Sequence, residues 1–301
     1  MGSIRDFRGC GTAMVTPFKA DGALDESALL RLVDHQLEQG IDFLVPCGST
    51  GESAALSADE HARVVELVVR RVQGKVPILA GAGGNNTAKV AETARRMETL
   101  GADGILSVTP YYNRPNQEGL FRHFKTVAES IRIPLVLYNV PGRTGTNLLP
   151  ETVLRLCAIQ NVVGIKEASG NITQISELAM VCPESFLLLS GDDANTLPII
   201  ALGGVGLISV ISNEAPRLTV EFTHLCLEGR FREAVVLQRR LFRLMQLNFI
   251  DSNPIPVKTA LAMMGMIEEF VRLPLVPLSQ DHKVKLAAAL RELGLIGTIG
   301  R

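Results

Sequence analysis

Eight short apolar runs punctuate the chain at intervals of about 25–30 residues: 11–17, 41–47, 76–81, 103–108, 134–140, 162–167, 186–191 and 206–211. Most are near-continuously apolar rather than alternating. That is the pattern of strands covered on both faces, as in a parallel sheet. Between the runs the period changes to that of a helix. Leu29, Leu32, Val33 and Leu37 fall on one helical face. Ser57-Ala58-Asp59-Glu60 reads as a capping box, with the Ser hydroxyl and the Glu carboxylate satisfying free N–H donors at a helix start. Gly40 and Gly101 each end a helical pattern and lead straight into a strand, a weak internal echo of a repeated unit. Eight strands, each followed by a helix, predict an α/β chain folded as a (β/α)8 TIM barrel. Beyond Pro216 the pattern is purely helical, with candidates at 215–228, 231–249, 257–264 and 282–293. The expected organisation is a barrel over 1–225 and a C-terminal helical extension over 226–301.

Composition narrows the class. Of 301 residues, 47% are apolar and 27 more are glycine, enough for a large core. Thirty basic residues face thirty-one acidic ones, for a net charge of −1. This leaves no electrostatic footprint for nucleic acid or an anionic membrane. The longest uncharged stretch, 194–213, holds Pro198, Gly203, Gly204 and Gly206, and reads as helix–turn–strand rather than a membrane span. The N-terminal MGSIRDFRGCG has no apolar leader core, so a cytoplasmic chain is expected. Five widely spaced cysteines without a C-x-x-C read as reduced thiols. There is no Trp, and the three tyrosines, Tyr111, Tyr112 and Tyr138, are confined to two short segments.

In such a barrel, chemistry belongs where strands run out into the following loops. Strand six ends in Gly164-Ile165-Lys166-Glu167. Burial lowers an ammonium pKa, and the neutral amine is a nucleophile suited to a Schiff base. A lysine that merely pairs with a carboxylate fits the position as well. Strand five ends in Tyr138 and continues through Pro141-Gly142-Arg143-Thr144-Gly145, which supplies a phenol for proton transfer and a guanidinium able to clamp a carboxylate. Strand two ends in Gly48-Ser49-Thr50-Gly51-Glu52-Ser53, a candidate nest for a carboxylate or phosphate. Strand four is followed by Thr109-Pro110-Tyr111-Tyr112-Asn113-Arg114-Pro115, a stiff loop suited to catalysis or to a subunit contact. Asp192-Asp193 follows strand seven, where a helix N-cap is expected ahead of a cation site. Gly81-Ala82-Gly83-Gly84 completes no dinucleotide fingerprint. His35, His61, His123, His224 and His282 all fall in helical patterns without metal-ligand spacing, so no catalytic metal is expected.

The segments Gly48–Glu52, Tyr138–Gly145 and Gly164–Gly170, in this order, resemble the signatures of the pyruvate-dependent class I aldolases of the dihydrodipicolinate synthase/N-acetylneuraminate lyase superfamily. Pro110–Pro115 and Asn253-Pro254-Ile255-Pro256-Val257-Lys258 resemble its dihydrodipicolinate synthase branch. The likeness runs from about Gly9 to Gly297. It implies that Lys166 condenses with pyruvate and that Tyr138, Ser49 and a neighbouring subunit's Tyr112 form a proton relay. It further implies that Thr50 binds the pyruvate carboxylate and that Arg143 holds the carboxylate of L-aspartate 4-semialdehyde. Gly191 and Ile208 match positions lining the pyruvate pocket. Ser49 stands where this branch usually has Thr, and Gly-Ser-Thr-Gly-Glu is commoner among sugar-acid lyases. An N-acetylneuraminate or 2-keto-3-deoxy-sugar-acid lyase therefore stays open, as does a non-catalytic sensor on the same barrel. The implied assembly is a homotetramer built as a dimer of dimers, with no cofactor beyond the lysine itself. Ser53, His61, Asn85 and Tyr111 match an allosteric lysine site of the family. Ala58 and Lys89 depart from it, Lys89 placing a positive charge where the ligand's ammonium would meet a carboxylate. Weak or absent lysine inhibition is the expectation.

Overall fold

The computed structural model describes residues 7–297. The first six residues, on which the expectation of no leader partly rests, and the last four lie outside the described residues. The eight apolar runs form eight strands: β1 (Gly9–Ala13), β2 (Phe43–Val45), β3 (Leu79–Gly81), β4 (Gly104–Val108), β5 (Leu135–Asn139), β6 (Val162–Glu167), β7 (Leu187–Ser190) and β8 (Gly206–Ser209). All pairings are parallel, in the order β2-β1-β8-β7-β6-β5-β4-β3. The ends of this sheet meet through a parallel bridge between Leu44 and Ile78, with Leu44 N–H donating to Pro77 O at 3.0 Å. The result is a nearly closed barrel.

β1 begins two residues earlier than its apolar run. Gly9 and Gly11 carry no hydrophobic signal, yet both are strand residues. A Cβ on Gly11 would lie 2.1 Å from the Phe43 ring, so the strand needs glycine there for the aromatic to fill the barrel. The other strands show the two-residue alternation expected of a filled barrel. On β5, Leu135 and Leu137 face the helices, while Val136 and Tyr138 face the interior with Phe43, Val45, Leu106 and Leu189.

Helices α1 (Glu26–Glu38), α2 (Ala58–Val72), α3 (Thr87–Thr99) and α4 (Gln117–Glu129) follow the first four strands. Asp25, Ser57, Asn86 and Asn116 cap them, and Ser57 with Glu60 forms the expected box. Gly40 and Gly101 follow α1 and α3 with φ of +82° and +94°, the left-handed turn that frees the chain to enter the next strand. Two short helices, α5 (Pro141–Thr144) and α6 (Pro150–Leu156), follow β5. Next come α7 (Ile172–Val181), α8 (Thr196–Ala201) and α9 (Pro216–Leu227) after β6, β7 and β8. The extension is α10 (Phe231–Leu247), α11 (Ile255–Met263) and α12 (Gln280–Glu292). Leu241, Leu244, Ile255 and Leu286 share one apolar cluster with Ile200 and Phe222 of the barrel helices. Among the described residues no helix is long and apolar enough to cross a membrane.

Candidate active site

Strand register brings two of the expected residues together. Tyr138 of β5 pairs directly with Lys166 of β6, so both side chains project to the barrel interior at the C-terminal end. The Lys166 ammonium lies 4.5 Å from the Tyr138 ring centre. Both residues are buried, at 5% and 8% exposure. Burial drives the Lys166 pKa down to about 8; the Arg143 charge acts in the same direction and the Asp193 charge opposes it. Among the described residues no carboxylate forms an ion pair with Lys166. Burial also raises the Tyr138 hydroxyl, against the Arg143 charge and the nearby Ser49 hydroxyl.

A cavity of 290 Å³ opens over this pair, lined by Ser49, Thr50, Tyr138, Arg143, Lys166 and Gly191 among others. Gly191 gives the lysine its room: a Cβ there would fall 2.7 Å from the Ala168 Cβ and 3.0 Å from the Lys166 Cγ. Ile208 sits directly beneath the cavity wall formed by its neighbours. It lies in the barrel interior with Tyr138 and Leu189, while Val210, two residues nearer the mouth, forms the wall.

The loop after β2 is held in a tight conformation. Cys47 and Glu52 flank it with φ of 56° and 52°, uncommon for residues other than glycine. The Gly51 and Glu52 N–H groups donate to Gly48 O and Ser49 O, both at 3.1 Å. The Thr16 hydroxyl donates to Gly51 O at 2.7 Å. The C-terminal extension supplies the rest. Asn253 Nδ2 donates to Thr50 Oγ1 at 2.9 Å, and the Asn253 carbonyl accepts from Arg143 Nη2 at 3.0 Å. One residue of the extension thus ties together the hydroxyl and the guanidinium that the sequence assigns to two substrate carboxylates. Lys258 Nζ donates to Glu52 Oε1 at 2.6 Å in a nearly solvent-free pair, and the Arg272 backbone N–H donates to Glu52 Oε2 at 3.0 Å.

Asp193 corrects the expectation of a paired N-cap. Asp192 does cap the turn, accepting from Ala194 N–H. Asp193 is instead fully buried and accepts from Ser209 Oγ at 2.5 Å, Val210 N–H at 3.0 Å and Ile211 N–H at 3.3 Å. It ties the end of β7 to the end of β8 and faces Lys166 electrostatically. Burial raises its own pKa to about 6. Next to the lysine, Glu167 accepts from Asn139 Nδ2 at 3.1 Å and Ser169 N–H at 2.6 Å, fixing β6 against β5.

Tyr111 and Tyr112 separate. Tyr111 lines a second cavity of 540 Å³ beside the first, together with Ser53 and His61. Arg143 and Asn253 border both cavities. Asn85 is outside that lining, and its carbonyl accepts from Asn113 Nδ2 at 2.9 Å. His61 is bonded to Gly81 O at 2.8 Å, and burial lowers its pKa. Tyr112 is 89% exposed, with φ of +71°, and lines neither cavity of its own chain. Among the described residues no group of three or more His, Cys, Asp or Glu side chains is placed to hold a metal ion.

The family model described as the dihydrodipicolinate synthetase family matches residues 6–293. The chain belongs to that family. A relative from Koribacter versatilis, named 4-hydroxy-tetrahydrodipicolinate synthase, is 51% identical over 96% of this chain and 97% of its own length. The solved dihydrodipicolinate synthase of Thermotoga maritima is 46% identical, with a TM-score of 0.95 over 96% of this chain and 99% of that one. A chloride-inhibited dihydrodipicolinate synthase from Acinetobacter baumannii, solved in complex with pyruvate, is 40% identical, with a TM-score of 0.95 over 97% of this chain and 100% of that one.

Proposed function

We propose that this family member condenses pyruvate with L-aspartate 4-semialdehyde to 4-hydroxy-tetrahydrodipicolinate, in diaminopimelate and lysine synthesis, through an imine on Lys166. The observation that carries the reading is a buried lysine, free of any carboxylate partner among the described residues, facing a tyrosine under a small cavity. With a pKa of about 8, a useful fraction of Lys166 is neutral amine near pH 7. The amine attacks the keto carbon of pyruvate, water leaves, and a protonated imine forms. This imine is the electron sink, so a methyl proton is lost and an enamine results. The enamine carbon attacks the aldehyde carbon, and the new alkoxide takes a proton from the relay. The amine of the second substrate then attacks the imine carbon and expels Lys166.

Tyr138 and Ser49, neighbours in the cavity lining, carry protons in this scheme. Tyr112 completes the relay from a neighbouring subunit of a homotetramer, a role suited to a phenol exposed on a stiff loop. Thr50 and Arg143 hold the two substrate carboxylates, with Asn253 setting their spacing. Gly191 leaves room for the imine. The lysine takes the place of a cofactor, and no metal or nucleotide takes part. The relatives described above carry the synthase name, which favours this chemistry over a sugar-acid lyase.

Borohydride with pyruvate tests the reading: one reduced adduct is expected, on the peptide containing Lys166. A folded protein that yields none is a sensor and not an aldolase. Aspartate semialdehyde offered beside sialic acid in a coupled assay should be the substrate consumed.

A further inference from the structure

Two of the five cysteines meet at the opposite end of the barrel from Lys166. Cys157 caps the C-terminus of α6 and Cys182 that of α7. Their sulfurs share a hydrogen bond at 4.0 Å although the residues are 25 positions apart. Each is half-buried and borders a cavity, of 400 Å³ for Cys157 and 210 Å³ for Cys182, and both cavities are walled by Pro183 and Phe186. The other three thiols differ. Cys10, Cys47 and Cys226 are at most 2% exposed, and burial raises the pKa of each. The proposed catalytic chemistry uses none of the five.

We propose that Cys157 and Cys182 form an oxidisable dithiol, closed to an intramolecular disulfide by a two-electron oxidant of the peroxide class. The close approach of the two sulfurs lets one proton be shared between them, which lowers the pKa of Cys157 and raises that of Cys182. The Cys157 thiolate attacks one peroxide oxygen, giving a sulfenic acid and hydroxide. The Cys182 sulfur then attacks the sulfenic sulfur. The S–O bond breaks, an S–S bond forms, and hydroxide leaves with the Cys182 proton as water. Two thiols and one hydrogen peroxide become one disulfide and two waters. The sulfurs must close from 4.0 Å to about 2.05 Å. The segment enclosed by the bond contains all of β6, including Lys166. Oxidation therefore clasps the strand bearing the nucleophile at its far end without touching the cavity.

The test treats the full chain with hydrogen peroxide, alkylates the remaining thiols and maps the peptides by mass. The expected product has three of the five thiols still titratable and one linked peptide pair, Cys157 with Cys182, reversed by dithiothreitol. Its melting temperature should rise by about 5 °C with turnover kept within about twofold. Cys157→Ser and Cys182→Ser should each abolish both the link and the shift, so failure of one variant to fold leaves the other as the control. Five intact thiols, a Cys157 sulfinic acid without a link, or a link between chains would each overturn the proposal.

Discussion

Two buried lysines lie in the same half of this molecule, and their surroundings differ in one respect. Lys166 stands 4.5 Å from the Tyr138 ring and Lys258 stands 4.2 Å from the Phe18 ring. Burial pulls the pKa of each below the ordinary value. Lys258, however, is met by Glu52 at 2.6 Å, whereas the carboxylate that acts on Lys166 is Asp193, which forms no ion pair with it and is already engaged by three donors. Burial with a partner gives a structural tie; burial without one gives an amine able to lose its proton. The contrast explains why position on a strand end alone left Lys166 undecided between nucleophile and ion pair.

The comparison breaks most visibly when each lysine is removed. Lys166→Ala should lower kcat/KM by about 10⁴-fold or more in the coupled assay, with the melting temperature kept or raised. A variant within about tenfold of the parent would remove Lys166 from the chemistry. Lys258→Ala should act on stability, costing about 3–5 kcal/mol in denaturant unfolding because the buried Glu52 loses its ion-pair partner and keeps only the Arg272 N–H. The double change Lys258→Met with Glu52→Gln should recover much of that loss. Tyr138→Phe should reduce kcat by about 10²-fold with little change in melting.

The pH dependence sharpens the comparison further. The reactive form of Lys166 is neutral, so kcat/KM should climb with pH and level off above about 8. Asp193→Asn removes the charge that raises the lysine pKa, so the rising limb should move to lower pH. A limb that stays in place would show that Asp193 acts only as a tie between β7 and β8. The smallest expected effect is inhibition by L-lysine, weak or absent in the parent and strengthened by Lys89→Glu; inhibition of the parent in the low-micromolar range would refute it.

Much of this was legible in the chain. Continuous apolar runs marked all eight strands because a barrel strand is covered on both faces, and only the glycine-led start of β1 escaped. Lys166, Tyr138, Ser49, Thr50 and Arg143 could be named because each ends a strand or lies in the segment after it, and Gly191 through the resemblance; the fold places all six around one cavity. Asp193 looked like its neighbour, a cap, because its three donors come from β8 and the turn after it. Asn253 and Lys258 belonged to a quoted motif, but their partners lie 203 and 206 positions away and leave no local pattern.

That last separation orders events during synthesis. Glu52 and Thr50 leave the ribosome with the second strand, while Lys258 and Asn253 follow 206 and 203 positions later. Until then the Glu52 carboxylate has no counter-charge and is held in water, so the loop bearing Ser49 and Thr50 stays unfastened. Fastening of the loop that bears Ser49 and Thr50 thus waits for the segment that carries Asn253 and Lys258.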